Sequence, residues 1–164
     1  GYMKLNYVIV AGGCFWGLEE LLKSLDGVTA TRVGYSGGDF DDPQYADVRT
    51  GATGHAEAVR VEYDEDEISL KEILHYFFKI HDPTTKNRQG NDIGTQYRSA
   101  VFYRDDAQKS VIEDVIEEVD ELGRFENPVV TNVARESGFY DAEEYHQNYL
   151  QKHPNGYSCH FERD

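Results

Sequence analysis

The chain has 164 residues, and its 12 Tyr, 8 Phe and 1 Trp are more aromatic residues than a disordered chain carries, so we expect one folded domain. Its net charge of −15 would repel phosphate backbones and anionic membranes, which argues against nucleic acid or a membrane as partner. The sequence has neither an apolar run of about 20 residues nor the pattern of a secretory signal, which predicts a cytoplasmic location. Gly1 and Tyr2 precede Met3 and are interpreted as a cloning remnant.

The first third of the chain predicts a strand, a helix and a second strand. Residues 5–10 read as a buried strand that runs into two glycines. From Phe15 the leucines follow helical spacing until Gly27 stops the pattern, and residues 28–33 form the next strand. The glycine-rich stretch 34–54 is too long for a hairpin, and long loops in compact domains are often functional.

The rest of the chain continues the alternation of strands and helices. Residues 55–63 alternate, with Glu57 on the face of Val59 and Val61 that we expect to be buried. A helix opened by the capping box Ser69–Glu72 follows, and then a loop over 81–96 and a strand over 97–103. The next predicted elements are a helix over 106–122, with Leu122 facing inward, and a strand over 128–134. The chain ends with a last helix capped by Asp141 and an irregular tail from Pro154. This order predicts an α+β fold: a mixed β-sheet with flanking helices, a ferredoxin-like two-layer sandwich core, long loops and an irregular C-terminal tail. We assign residues 1–164 to a single domain.

The segment Gly12-Gly13-Cys14-Phe15-Trp16-Gly17 places a thiol at the start of a helix. The unpaired amides of a helix N-terminus favour negative charge, so this position predicts a thiol that ionises more easily than usual. The glycines allow a tight turn and a close approach of a ligand. The alternative is that Cys14 is a small buried hydrophobic residue beside two core aromatics.

Four motifs of this chain resemble the methionine sulfoxide reductase A family. They are Gly-Cys-Phe-Trp-Gly, then Gly54-His55-Ala56-Glu57, then the stretch from Asp92 to Ser99, and finally His146-Gln147-Asn148-Tyr149-Leu150 followed by Gly156-Tyr157. The resemblance covers nearly the whole chain in order. It implies a peptide-methionine (S)-S-oxide reductase that repairs oxidised proteins by reducing methionine sulfoxide to methionine.

The resemblance implies a role for each residue of a catalytic site. Cys14 would attack the sulfoxide sulfur and become a sulfenic acid, while Glu57 would protonate the sulfoxide oxygen. The burial expected for Glu57 raises a carboxyl pKa, which suits a general acid. The alternative is an ordinary buried ion pair with a nearby arginine, namely Arg60, Arg98 or Arg104.

Two tyrosines and three further residues would bind the substrate. By resemblance, Tyr45 and Tyr97 would donate hydrogen bonds to the sulfoxide oxygen, while Phe15 and Trp16 would enclose the S-methyl group. Asp92 would contact the substrate backbone. With 12 tyrosines in the chain, either one taken alone is better explained as a packing residue, and a loop aspartate is usually a turn former.

Cys159 lies in the tail, residues 154–164, which we expect to be mobile. The resemblance implies that Cys159 is the resolving cysteine, which forms a disulfide with Cys14 that thioredoxin, or dithiothreitol in vitro, then reduces. The alternatives are a free surface thiol of no consequence or a structural disulfide, and the second is rare in a reducing compartment.

The six histidines show no metal-binding spacing, so we expect no metal and no bound cofactor. We expect a monomer. Two rival functions stay open at this point. A cysteine hydrolase would also use an activated thiol but would need a histidine base, and an acidic interaction domain would carry its cysteines incidentally.

Overall fold

The computed structural model describes residues 4–164, so the interpretation of Gly1 and Tyr2 lies outside the described residues. Within this range the strands are β1 (Leu5–Gly12), β2 (Val28–Ser36), β3 (Ala56–Asp64), β4 (Arg88–Gln89), β5 (Asp92–Ile93), β6 (Ser99–Tyr103), β7 (Asn132–Arg135) and β8 (Phe139–Asp141). The helices are α1 (Phe15–Lys23), α2 (Tyr45–Val48), α3 (Leu70–Ile80), α4 (Asp106–Leu122) and α5 (Tyr149–Lys152), with 3-10 turns at Thr95–Tyr97 and Glu144–His146. No helix between residues 4 and 164 is both long and apolar enough to cross a membrane.

Six strands form one mixed sheet in the order β7-β6-β1-β3-β2-β8. Every neighbouring pair is antiparallel except β6 and β7, which are parallel because α4 crosses over between them. The short strands β4 and β5 pair separately. The predicted mixed sheet with flanking helices is confirmed.

The alternation of side chains along each strand gives the sheet two different faces. On one face, Val8, Val10, Val59 and Val61 pack with the buried stripes of α1, α3 and α4. On the other face lies a smaller cluster, which consists of Ile9, Ala11, Ala56, Ala58, Ala100 and Phe102. Because Glu57 shares the face of Val59 and Val61, its carboxyl group points into the helical layer at the start of α1.

The ends of the long helices follow the predicted chemistry, with one exception. The Ser69 hydroxyl accepts from the Glu72 amide at 3.1 Å, which confirms the capping box. The helix α4 has the predicted bounds and ends at Gly123, whose φ of 68° suits glycine. The inward orientation predicted for Leu122 is wrong, because this last helical residue is 60% exposed. Leu122 follows the buried Val119 at helical spacing, but it is the last residue of α4, next to Gly123.

Several element boundaries differ from the sequence-based expectation. The strand predicted over 97–103 begins only at Ser99, and the strand predicted over 128–134 begins only at Asn132. The strand β2 continues to Ser36, beyond the predicted end at 33, because it pairs with β3 and with β8 along this length. The helix cap predicted at Asp141 is wrong, since this residue ends β8. Its carboxylate accepts from the Arg32 guanidinium at 3.1 Å and not from helix amides. The last helix begins only at Tyr149, and the tail from Pro154 is irregular, as predicted.

Candidate active site

Cys14 stands between the end of β1 and the first residue of α1. The turn needs both preceding glycines. Gly13 has a φ of +90°, and a Cβ on Gly12 would lie 2.9 Å from the buried ring of His81. The thiol is therefore held by backbone geometry at the N-cap position of α1, with 9% of the residue exposed.

A cavity of about 100 Å³ opens beside this thiol. It is lined by Cys14, Phe15, Trp16, Tyr45, Glu57, Asp92, Tyr97 and Tyr157. The structure thus brings together every predicted site residue except Cys159. Since water occupies about 30 Å³ in the liquid, the cavity has room for about three groups of that size, such as a methyl group, a sulfur and an oxygen.

Glu57 is a buried carboxyl group at the wall of this cavity, with 2% of the residue exposed. Its Oε1 accepts a hydrogen bond from the Phe15 amide at 3.2 Å. Burial raises the pKa of Glu57 to about 8, although the Phe15 bond lowers it, and the charge of Asp92 raises it further. At neutral pH the carboxyl group therefore keeps its proton, as a general acid must.

The predicted acidic thiol is wrong for the resting site. Burial, followed by the charge of Glu57, raises the pKa of Cys14 far above its usual range, while the Trp16 amide lowers it by less. The helix N-terminus does not dominate, because the Trp16 amide lowers the Cys14 pKa by less than burial and the charge of Glu57 raise it. No lysine or arginine lines the cavity among the described residues, so thiol and carboxyl are both neutral at pH 7.

The apolar wall of the cavity is fixed by residues of the last third of the chain. The Trp16 indole stacks on Tyr149 with 3.7 Å between ring centroids, and its Nε1 donates to His146 Nδ1 at 3.0 Å. The His146 ring also lies 5.2 Å from that of Phe15 and 4.8 Å from that of Tyr45. His146 and Tyr149 belong to one of the four sequence motifs, but the sequence did not predict their contacts with the wall of the cavity.

The polar side of the cavity carries tyrosine hydroxyls. Burial raises the pKa of both Tyr45 and Tyr97, so both stay protonated and able to donate. Tyr157 was missed as a site residue, although its Gly-Tyr motif was noticed. Its hydroxyl donates to Asp92 Oδ2 at 3.1 Å, which ties the tail to the rim of the cavity. Asp92 thus has a hydrogen-bond partner at the rim of the cavity.

Cys159 is half-buried and does not line the cavity, but it follows Tyr157 by two residues. Both cysteines are free thiols. Burial raises the pKa of Cys159, and the charge of Cys159 is the smallest of the influences that raise the pKa of Cys14. Across residues 4–164, no group of three or more His, Cys, Asp or Glu side chains is arranged to hold a metal ion.

Comparison with known proteins assigns the chain to a family. The family model for peptide methionine sulfoxide reductase matches residues 6–164. The peptide methionine sulfoxide reductase MsrA of Nocardia farcinica is 53% identical over 155 residues, which is 94% of this chain and 89% of the relative. The crystal structure of Saccharomyces cerevisiae Mxr1 in reduced form has a TM-score of 0.93 and 40% identity, over 98% of this chain and 93% of that one. Mxr1 in complex with Trx2 gives a TM-score of 0.68 and 29% identity, over 98% and 91% of the two chains. The chain therefore belongs to the peptide methionine sulfoxide reductase family.

Proposed function

We propose that the cavity beside Cys14 reduces the S epimer of methionine sulfoxide, free or in proteins, and so repairs oxidised proteins. Reduction of peptide methionine sulfoxide is the activity of the family to which the chain belongs. The observation that carries the assignment of the site is a buried thiol and a protonated carboxyl group on the walls of one small cavity.

The proposed first step transfers the sulfoxide oxygen to Cys14. The Cys14 sulfur attacks the sulfoxide sulfur while Glu57 donates its proton to the oxygen. The attack forms a bond between the two sulfurs, and the protonated oxygen then moves from the substrate sulfur to the Cys14 sulfur as the bond between the sulfurs breaks. Methionine leaves, the substrate sulfur is reduced by two electrons, and Cys14 is oxidised by two to a sulfenic acid. The thiol proton returns the carboxylate to its acid form.

The other cavity residues would bind the substrate and stabilise charge. Tyr45 and Tyr97 would donate to the oxygen as negative charge develops on it. Phe15 and Trp16 would pack around the S-methyl group, and the bond from Trp16 to His146 holds that wall in place. Asp92, at the rim with Tyr157, would contact the substrate backbone.

The proposed second step uses Cys159 as the resolving thiol. Cys159 attacks the sulfenic acid, a disulfide with Cys14 forms, and water leaves. Thioredoxin then reduces the disulfide, and dithiothreitol can replace it in vitro. No bound cofactor is required. The complex of the yeast relative with Trx2 supports thioredoxin as the partner.

The decisive experiment incubates the protein with each methionine sulfoxide epimer and dithiothreitol and measures methionine. We expect product from the S epimer only, and none from Cys14→Ser, because that variant lacks the nucleophile. Equal use of both epimers, or full activity of Cys14→Ser, would rule out the assignment. The cysteine hydrolase alternative is disfavoured, since no histidine lines the cavity among the described residues.

We further propose one catalytic domain over the whole chain, monomeric and cytoplasmic. The ferredoxin-like description is likewise a proposal. It is supported by the order β6-β1-β3-β2, with antiparallel neighbours and with α1 and α3 as the connecting helices on one face.

A further inference from the structure

One side chain of the tail reaches the backbone beside the nucleophile. His160 Nε2 donates to the carbonyl oxygen of Gly12 at 2.6 Å, two residues before Cys14. We infer that His160 is a positioning residue for disulfide formation, a latch that holds Cys159 at the start of α1 while both thiols are free. This inference rests on the proposed role of Cys159 as the resolving thiol.

The hydrogen bond to Gly12 also fixes which nitrogen of His160 can accept a proton. A neutral imidazole carries one N–H, so donation from Nε2 leaves Nδ1 as the acceptor. Nδ1 lies 3.9 Å from the sulfur of Cys159, the residue before it. Burial lowers the pKa of His160, which favours this neutral form at pH 7. The Cys159 thiol therefore faces an acceptor for its proton.

The proton acceptor fits the chemistry of the second step. When the Cys159 sulfur bonds to the Cys14 sulfur, the sulfur–oxygen bond of the sulfenic acid breaks. The departing hydroxide takes up the proton that the Cys159 thiol released, so the products are one disulfide and one water. His160 Nδ1 holds that proton in between and is neutral again at the end.

The surface that receives the tail is shaped for it by a glycine inside α1. A Cβ on Gly17 would collide with Ser158 Oγ and would lie 2.6 Å from His160 Nδ1. Glycine weakens a helix interior relative to alanine. The close approach of residues 158–160 explains why residue 17, in the first turn of α1, is a glycine. This observation does not depend on the hydrogen bond between His160 and Gly12.

Other contacts fix the tail on both sides of Cys159 but do not reach the turn that carries Cys14. Before it, Tyr157 bonds to Asp92 at the cavity rim. After it, the Arg163 amide donates to the Lys79 carbonyl at 3.0 Å, at the end of α3. The expected mobile tail is thus docked in the free-thiol state, and the His160 bond joins it to the backbone of the turn that carries Cys14.

The test separates the two chemical steps in His160→Ala. Enzyme is mixed with one equivalent of the S epimer without reductant, and methionine, remaining thiols and dimedone-trapped sulfenic acid are followed in time. We expect methionine to form at the wild-type rate. Disulfide formation should slow at least about tenfold, which corresponds to ~1.4 kcal/mol, and sulfenic acid should accumulate.

Two matched variants distinguish positioning from a general disturbance of the tail. His160→Gln can still donate its amide N–H to the Gly12 carbonyl but cannot take up the thiol proton, so it should recover part of the lost rate. Phe161→Ala changes the next residue, which is 57% exposed, and should behave like wild type. Disulfide formation at the wild-type rate in His160→Ala, or no recovery in His160→Gln, would overturn the latch.

Cys159→Ser tells failure of the latch from failure of the proposed function. If Cys159→Ser stops recycling by thioredoxin while His160→Ala leaves disulfide formation unchanged, the resolving cysteine stands and only the latch falls. If Cys159→Ser is recycled by thioredoxin as fast as wild type, the resolving role fails and the latch with it. Methionine formation in either variant tests the first step alone.

Discussion

Replacing Glu57 by glutamine tests the central claim that a protonated carboxyl group is buried beside Cys14. The pKa of Glu57 is about 8 in the folded protein, against an ordinary value of 4.5. Between these pH values the unfolded chain releases a proton that the folded protein keeps. The free energy of unfolding therefore falls as pH rises through this window. At about 1.4 kcal/mol per pH unit, the loss between pH 5 and pH 8 is ~4 kcal/mol.

Glutamine removes this pH dependence but keeps the local geometry. Its Oε1 can accept from the Phe15 amide as the carboxyl oxygen does. We expect the stability of Glu57→Gln, relative to wild type, to rise by ~4 kcal/mol from pH 5 to pH 8. Ionisable groups shared by both proteins, such as the buried His81, cancel in this difference.

The assay is urea denaturation of both proteins at pH 5, 6, 7 and 8, followed by circular dichroism. Glu67→Gln serves as the control, because it removes an exposed carboxyl group just after the same strand and outside the cavity. A stability difference between Glu57→Gln and wild type that stays the same from pH 5 to pH 8 would mean that Glu57 ionises normally in the folded protein. The reasoning about its proton would then be wrong.

Two further predictions concern the separate steps of turnover. Tyr97→Phe removes a hydroxyl group that would stabilise charge on the sulfoxide oxygen, so methionine formation in rapid mixing should slow by about 10²-fold with little change in substrate affinity; an unchanged rate would place this hydroxyl outside the reaction. Cys159→Ser should release one methionine per enzyme and then stop, even when thioredoxin is present. Continued turnover with thioredoxin would exclude Cys159 from the cycle.

Local patterns predicted the central elements of the fold well. The capping box at Ser69 and the glycine after Leu122 act within one helical turn, so the bounds of α3 and α4 follow from nearby residues. The alternation of side chains along residues 55–63 correctly predicted that Glu57 lies on the buried face of its strand. The helix cap predicted at Asp141 was wrong, because the local sequence of a capping aspartate does not differ from that of an aspartate at the end of an edge strand. The hydrogen-bond partner of the Asp141 carboxylate is Arg32, which is distant in the sequence.

Some features of the site depend only on neighbouring residues in the sequence, whereas others depend on residues that meet only in the folded chain. The position of Cys14 follows from a strand, two glycines and a helix in direct succession. The direction of its pKa shift does not, because it depends on burial and on Glu57, which comes from another strand and occupies the first helix amide. The role of His146 depends likewise on Trp16, which approaches it only in the folded chain.

The raised pKa values of Cys14 and Glu57 fit a cavity that stays uncharged until a sulfoxide enters. Attack by the sulfur moves negative charge onto the sulfoxide oxygen, where the Glu57 proton neutralises it, so a free thiolate need not accumulate beforehand. Alkylation by iodoacetamide moves negative charge onto the departing iodide, which needs no proton, so the reaction depends on the thiolate itself, and a charged Glu57 disfavours that thiolate. We therefore expect Glu57→Gln to change two reactions of Cys14 in opposite directions. At pH 9, where Glu57 is ionised in wild type, the variant should react faster with iodoacetamide, while its methionine formation at pH 7 falls by about 10²-fold or more. Mass spectrometry of the Cys14 peptide and rapid-mixing kinetics measure the two rates, and if both fall together, Glu57 acts by shaping the cavity and not by giving up a proton.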